Sequence, residues 1–300
     1  MRSARRDPEN VTRLVDEELN KGFLIGPYRT PPFANYRINP IGLVESKYSK
    51  KQRLIVDLSA PHNNTEHQSI NSLIDKDSCS LSYVTIDDAI KRIQELGCCA
   101  WMNKADIQDA FKLIPIKPSL WPFYGIKWND NYYFFVRLPF GSRSSPKLFD
   151  MLSEAIVWIA EHNYGITKML HLLDDFFVVD SDKEGGERTC ALISFLFNRL
   201  KVPLSLKKTI GPVQEIEYLG IILDSTRMEA RLPQEKVSRI IDMIKTLLNR
   251  RKCRKRELLS VLGHMSFASR VVIPGRSFVH YLFNLTTYVR SLESHVTINR

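Results

Sequence analysis

His171-Leu172-Leu173-Asp174-Asp175-Phe176-Phe177-Val178-Val179 sets two adjacent carboxylates between short apolar runs, with strong β-formers on the far side. The pattern predicts a strand, a tight turn carrying the acid pair, and a returning strand. Two like charges among Leu, Phe and Val repel each other and lose hydration, and a bound cation relieves both costs. Taken alone, the stretch also reads as a polar hairpin turn. What the rest of the chain supplies decides between the two.

Phosphoryl transfer through two Mg²⁺ ions, held roughly 3.5–4 Å apart, requires carboxylates that converge from separate elements. Each ion takes only one or two of them from protein and fills its shell with water and phosphate. Asp174 and Asp175 offer two. Asp106 closes a predicted strand Cys98–Asp106, 68 residues upstream, and the Ser145-Pro146 helix lies between, as a crossover connection requires.

Length and composition set the bounds. With 300 residues, 44% apolar and 25% charged, the chain suits a soluble globular protein of two domains or one lobed domain. No apolar run approaches the ~20 residues that span a bilayer. The charged start Met1–Asp7 has no apolar segment behind it, unlike a secretory signal. Five cysteines without a CxxC pair fit neither a disulfide framework nor a zinc site. The expectation is an intracellular, reduced protein of cytoplasm, nucleus or both, without a membrane partner, and with Cys98 and Cys99 buried in a strand.

The net charge of +10 is concentrated: residues 201–256 hold 14 Lys/Arg against 6 Asp/Glu, and Arg250–Arg256 is nearly continuous. Such a run suits a polyanion, nucleic acid being the commonest. A solvated helix connection and a nuclear-localisation signal are the other readings.

Periodicity predicts a mixed α+β body followed by an all-helical, basic C-terminal part. Strands are expected at Ile41–Glu45 and Arg53–Leu58, joined by the cationic tip Lys47–Lys51, with residues 59–82 irregular. Thr85, Asp88 and Gly97 cap and stop a helix whose buried stripe is Ala89, Ile90, Ile93 and Leu96. Phe123–Trp128 and Tyr132–Leu138 form a hairpin. The helix from Ser145 buries Phe149, Leu152, Ile156 and Ile159 and ends near Gly165; another spans Glu187–Leu200. Glu217–Leu223 is expected as one strand beside Met228–Leu232, then helices at Gln234–Leu248, Arg256–Ser269 and Ser277–Leu292.

Over roughly residues 20–285 the motifs resemble, in order, those of reverse transcriptases. Arg53-Leu54-Ile55-Val56-Asp57-Leu58-Ser59 resembles the fingers strand, and Asp106-Ile107-Gln108-Asp109-Ala110-Phe111 the first palm motif. Leu138-Pro139-Phe140-Gly141 through Ser145-Pro146 resembles the segment preceding the palm helix, and Leu172-Leu173-Asp174-Asp175 the catalytic turn. Leu206-Lys207-Lys208 and Glu217-Tyr218-Leu219-Gly220 resemble the lysine motif and the primer-grip strand. Phe140, where retroviral enzymes usually carry Gln, is similar to retrotransposon types. With Gly263–Arg276 it resembles DIRS-type and Ty3-like polymerases of retroelements.

The resemblance implies a right-hand polymerase, α+β, whose palm is an antiparallel sheet packed on helices. Fingers would be 1–84 and 114–144, palm 85–113 and 145–230, and a basic helical thumb or start of a connection 231–300. The implied reaction is RNA-directed DNA synthesis, with the primer 3′-OH attacking the α-phosphate of a dNTP. The implied partners are an RNA or DNA template with primer, and the implied cofactors are two Mg²⁺ ions, or Mn²⁺. Asp106 and Asp174 would bridge the metals, Asp175 would bind more peripherally, and the Ile107 backbone carbonyl would add a ligand. Phe111 would exclude a 2′-OH, Arg53 would hold the triphosphate, and Phe140 with Gly141 would floor the pocket. Lys47 or Lys50 would add charge, and Lys207 or Lys208 would act on the leaving pyrophosphate. Asp109 would support the motif turn.

Leu172 departs from the family, where many relatives place an aromatic residue, and the fingers tip is short. These departures keep a second reading open, a catalytically weak or inactive retroelement remnant that binds nucleic acid. An RNA polymerase is disfavoured by Phe111. The family's RNase H domain would follow the thumb, but beyond the basic run only Glu257 and Glu293 remain as acids, too few for a four-carboxylate nuclease site. The expectation is therefore a fragment of a longer polyprotein or a truncated copy, without RNase H.

Overall fold

The computed structural model describes residues 2–45, 52–62 and 66–298. The chain divides into two compact units. One is drawn from residues up to Val84, Lys104–Val178 and Arg188–Thr209, the other from Thr85–Asn103, Val179–Glu187 and residues from Ile210 onward.

Local chemistry sets the elements of the first unit. Asp7 accepts from the Asn10 backbone N–H at 3.3 Å and Pro8 opens the helix Pro8–Asn20, which buries Val11, Leu14 and Val15. Asn129 and Asp130 both take left-handed backbone (φ 46° and 57°), which short polar side chains tolerate. They close a two-residue hairpin between Gly125–Trp128 and Asn131–Phe135, and Leu24–Tyr28 pairs antiparallel with the second of these strands. Ile41–Glu45 and Gln52–Val56 form a separate antiparallel pair. These elements enclose a core that includes Val11, Leu54, Val56, Ile126 and Phe135.

A second core in the same unit is built on the helix Ser145–Tyr164, which stops where Gly165 turns left-handed (φ 66°). Its Phe149, Ile156 and Ala160 pack with Ile107, Phe176, Leu196 and Phe197. Phe149, Phe176 and Phe197 are fully buried, and each contributes about 1.5–3 kcal/mol by leaving water. Leu170–Leu172 and Asp175–Asp180 pair antiparallel to form the acidic hairpin.

In the second unit, Asp88 accepts from the Thr85 backbone N–H at 2.7 Å, and the helix Ile86–Leu96 stops at Gly97 (φ 93°). Ala89 and Ile93 are buried as expected and Ile90 is partly buried, but Leu96, the last residue of the helix on the same stripe, is exposed. Helices Gln234–Leu248, Lys255–Ala268 and Gly275–Thr287 share this unit. A core of Cys253, Leu258, Leu262, Val279 and Val296 packs within it.

Several expectations need correcting. Glu217–Leu223 is not one strand: Leu219 (φ 47°) and Gly220 (φ 79°) turn the chain, so Glu215–Tyr218 pairs with Ile221–Asp224, which pairs with Glu229–Arg231. The C-terminal part is not all-helical, since Lys252–Arg254 pairs with His295–Thr297. Cys98 and Cys99 are exposed in a turn ahead of the strand Trp101–Asp106. The span expected to be irregular contains the short helix Ile70–Leu73, capped by Ser69. Among the described residues no helix is long and apolar enough to cross a membrane.

Candidate active site

The strand Trp101–Asp106 delivers Asp106, 3% exposed, to the acidic hairpin. The Ile107 backbone N–H donates to the Asp174 carbonyl at 3.0 Å, while Ser205 N–H donates to the Asp106 carbonyl and Gln108 N–H to the Pro203 carbonyl, both at 2.8 Å. The end of the strand is thus clasped on both sides. The hairpin turn itself is Leu173-Asp174, and Asp175 begins the returning strand opposite Leu172. Leu173 takes φ 54°, a strained value for a branched side chain. The helix Ser145–Tyr164 holds it there: Ser153 Oγ donates to the Leu173 carbonyl at 2.8 Å, and Asp150 lies 3.3 Å from His171 Nε2.

Electrostatics mark the same spot. Burial, reinforced by the charge of Asp175 and then of Asp106, pushes the Asp174 carboxyl up to about 6. Burial also raises Asp175; Lys104 opposes the rise and Asp106 adds to it. Lys104 Nζ stands 3.5 Å from Asp175 Oδ1, yet that buried oxygen accepts no hydrogen bond. Lys208 Nζ sits 2.7 Å from Asp106 Oδ2. Burial pulls Lys208 down, but its bond to Asp106 and the charges of the three acids outweigh this, so it is raised overall. Among the described residues no three His, Cys, Asp or Glu side chains form a ready-made metal cage; the cation beside Asp106 is an ammonium. An orphaned carboxylate oxygen within a mutually repelling acid set nonetheless fits a divalent cation.

The expected nucleotide-pocket residues form a chain of contacts. The Arg53 guanidinium lies 5.4 Å from the Phe140 ring centroid, and Phe140 lies 5.2 Å from Phe111, which meets Phe149 edge-on at 5.8 Å. Gly141 has φ +117°, and a Cβ there would stand 2.0 Å from the Val56 carbonyl oxygen, so glycine is required. Val56 N–H donates to the Phe140 carbonyl at 3.1 Å.

Other placements sharpen the expectations. Lys207 is exposed, and its neighbour Lys208 reaches Asp106 instead. Lys47 lies outside the described residues. Asp109 pairs with Lys21 at 2.7 Å, supporting its turn. The Arg250–Arg256 run is partly occupied, since Arg250 pairs with Glu257, and Arg254 and Arg256 pair with Glu293. Sequence reasoning missed Asn71, whose side chain donates to the Gly141 carbonyl at 2.8 Å and accepts from Arg143 N–H at 2.9 Å. Asp150, Ser153 and Lys104 were also missed. The polar interruptions Asp150 and Ser153 on an apolar helix face were the available signal.

Residues 29–223 match the family described as reverse transcriptase (RNA-dependent DNA polymerase). A retrovirus-related Pol polyprotein from transposon opus of Drosophila melanogaster is 25% identical over 225 residues, 73% of this chain and 20% of that protein. A foamy viral protease-reverse transcriptase solved with double-stranded DNA superposes with a TM-score of 0.70 at 18% identity, over 96% of this chain and 44% of that one. A foamy viral protease-reverse transcriptase solved with an RNA/DNA hybrid gives a TM-score of 0.65 at 18% identity, over 99% of this chain and 35% of that one. The chain therefore spans a fifth of the transposon polyprotein and less than half of the viral chains. With more than half its length matched, it belongs to the reverse transcriptase family and carries the right-hand polymerase fold.

Proposed function

We propose that this chain is an RNA-directed DNA polymerase of a retrotransposon that extends a primer with dNTPs by nucleotidyl transfer. The observation that supports it most is the meeting of Asp106 with the Asp174–Asp175 turn, through the Ile107–Asp174 hydrogen bond of 3.0 Å. Asp106, Asp174, Asp175 and the Ile107 backbone carbonyl would hold two Mg²⁺ ions, or Mn²⁺. Bound there, the ions would activate the primer 3′-OH and neutralise charge on the departing pyrophosphate.

The chain's own residues would do the rest. Arg53 would grip the triphosphate through a forked, permanently charged guanidinium. Phe111, braced by Phe140 and Phe149, would stand against the sugar and exclude a 2′-OH. Gly141 would let the backbone approach the nucleotide. Lys208, rather than Lys207, would turn from Asp106 to the leaving phosphate. Residues 1–84 and 114–144 would act as fingers, 85–113 and 145–230 as palm, and the basic part from 231 as thumb. Template and primer would be RNA or DNA, in keeping with the double-stranded DNA and the RNA/DNA hybrid bound in the two viral structures. Binding would weaken steeply with salt.

The test is dTTP incorporation on poly(rA)·oligo(dT) with Mg²⁺ or Mn²⁺, beside Asp174→Asn. Incorporation by the wild type and none by the variant is expected. No incorporation where a control reverse transcriptase extends would sink the proposal.

A further inference from the structure

Lys112 follows Phe111 directly and is 4% exposed. Its ammonium meets Glu18 of the helix Pro8–Asn20 at 2.5 Å and lies 4.3 Å from the Phe135 ring centroid. On the other side of Phe111, Asp109 takes left-handed backbone (φ 53°) and pairs at 2.7 Å with Lys21, the residue capping the same helix. The turn closes on itself, with Lys112 N–H donating to the Asp109 carbonyl at 2.8 Å and Ile114 N–H to the Phe111 carbonyl at 3.2 Å. Two ion pairs therefore bracket Phe111, and both end on one helix.

A buried lysine is rare, and an apolar side chain would fill its site without losing hydration. In some proteins a buried polar or ionic contact fixes the register between the parts it joins. The parts here are the N-terminal helix, anchored by buried Val11, Leu14 and Val15, and the turn that carries Phe111. Phe111 packs against both cores of its unit, so sliding the turn moves its ring between them.

We propose that Glu18–Lys112, seconded by Lys21–Asp109, is a positioning clamp that fixes the Phe111 ring and makes the N-terminal helix a determinant of sugar selectivity. This rests on the reading of Phe111 as the residue that excludes the 2′-OH. The clamp residues touch no nucleotide; they act through Phe111.

The test measures single-nucleotide incorporation of dATP and ATP on one template–primer for wild type, Phe111→Val, Lys112→Met, Glu18→Gln/Lys112→Met and Lys21→Met. Lys112→Met leaves Glu18 half-buried without its partner and lowers Tm. The double variant removes both charges and recovers Tm, which separates folding from positioning. It is expected to lose about tenfold or more of the dATP/ATP preference, because small misplacements near reacting groups carry large rate effects. Its kcat/KM for dATP is expected to stay within about threefold of wild type, since the chemistry is untouched. A preference within about twofold of wild type in the double variant, with Phe111→Val losing it, overturns the clamp. If Phe111→Val keeps the wild-type preference, the reading of Phe111 fails and the clamp with it. Should the double variant not fold, Lys21→Met decides: a reduced preference supports the clamp, an unchanged one overturns it.

Discussion

Replacing Asp174 with Asn should make the metal-free protein more stable while destroying its activity, and the structure sets the size of the effect. The Asp174 carboxyl is held at about 6 instead of 3.8, by burial first and by Asp175 next. At about 1.36 kcal/mol per unit, ionising it in the folded state costs about 3 kcal/mol at neutral pH, trimmed toward about 2 by the water that reaches a half-buried group. The sign follows from linkage. The folded pKa lies above the unfolded one, so the folded state holds the proton longer. Below the unfolded value the acid is protonated in both states and costs nothing. As pH rises through the interval from 3.8 to about 6, stability falls, and above it the full cost persists. Asparagine carries no charge and escapes that cost. In EDTA near pH 7.5, thermal denaturation should place the variant's Tm roughly 5 °C above wild type, and the gap should close near pH 4. Mg²⁺ should then raise the wild-type Tm more than the variant's. A variant no more stable than wild type in EDTA, or a gap independent of pH, would refute the electrostatic account of the turn.

Four further outcomes are expected. Gly141→Ala forces a Cβ to 2.0 Å from the Val56 carbonyl at φ +117°, and strain plus disturbed hydrogen bonds should cost about 2–4 kcal/mol in urea denaturation. Lys208→Met strips Asp106 of its 2.7 Å partner, which should cost about 1–3 kcal/mol in EDTA and less in Mg²⁺. Phe111→Val should admit ribonucleotides in a single-nucleotide extension assay, and unchanged sugar selectivity would count against its role. Asn71→Ala breaks the bonds to Gly141 and Arg143; it should cost about 1–3 kcal/mol and raise KM for dNTPs without an equal loss of kcat.

Strong local signals made much of this legible in the sequence. The Thr85–Asp88 cap and the Gly165 stop each depend on a few adjacent residues, and each stands where the pattern puts it, while the polar run Asn129-Asp130-Asn131 marks a turn that closes on its first two residues, with Asn131 already in the returning strand. The acid pair and Asp106 were legible as a group because the motifs around them occur in a family order. Where two residues of one type stand together, local pattern fails: nothing in Leu206-Lys207-Lys208 says which ammonium faces the acids. Leu219-Gly220 sits inside an apolar run that reads as continuous strand, yet both residues turn left-handed there. Lys252–Arg254 shows only charge in the local sequence, because its strand partner lies more than forty residues on, at His295–Thr297.

The residues that pattern could not place share one trait: they are polar side chains at positions where an apolar one would pack as well. Asp150 and Ser153 interrupt the buried face of Ser145–Tyr164, Asn71 is buried in a short helix, and Lys112 is buried within the turn carrying Phe111. Each needs a partner once it leaves water; for Asp150, Ser153 and Asn71 the partner lies on a turn of the candidate site, while Lys112 is itself in such a turn. Asp150 faces His171, Ser153 bonds Leu173, Asn71 holds Gly141 and Arg143, and Lys112 meets Glu18. The strained Leu173 turn shows why. Two carboxylates that repel each other cannot stabilise the hairpin that presents them, so the stabilising contacts must come from behind, from backbone-directed polar groups on the packed helix. A polar residue breaking an apolar stripe is therefore the sequence's own mark of where a buried element braces the site.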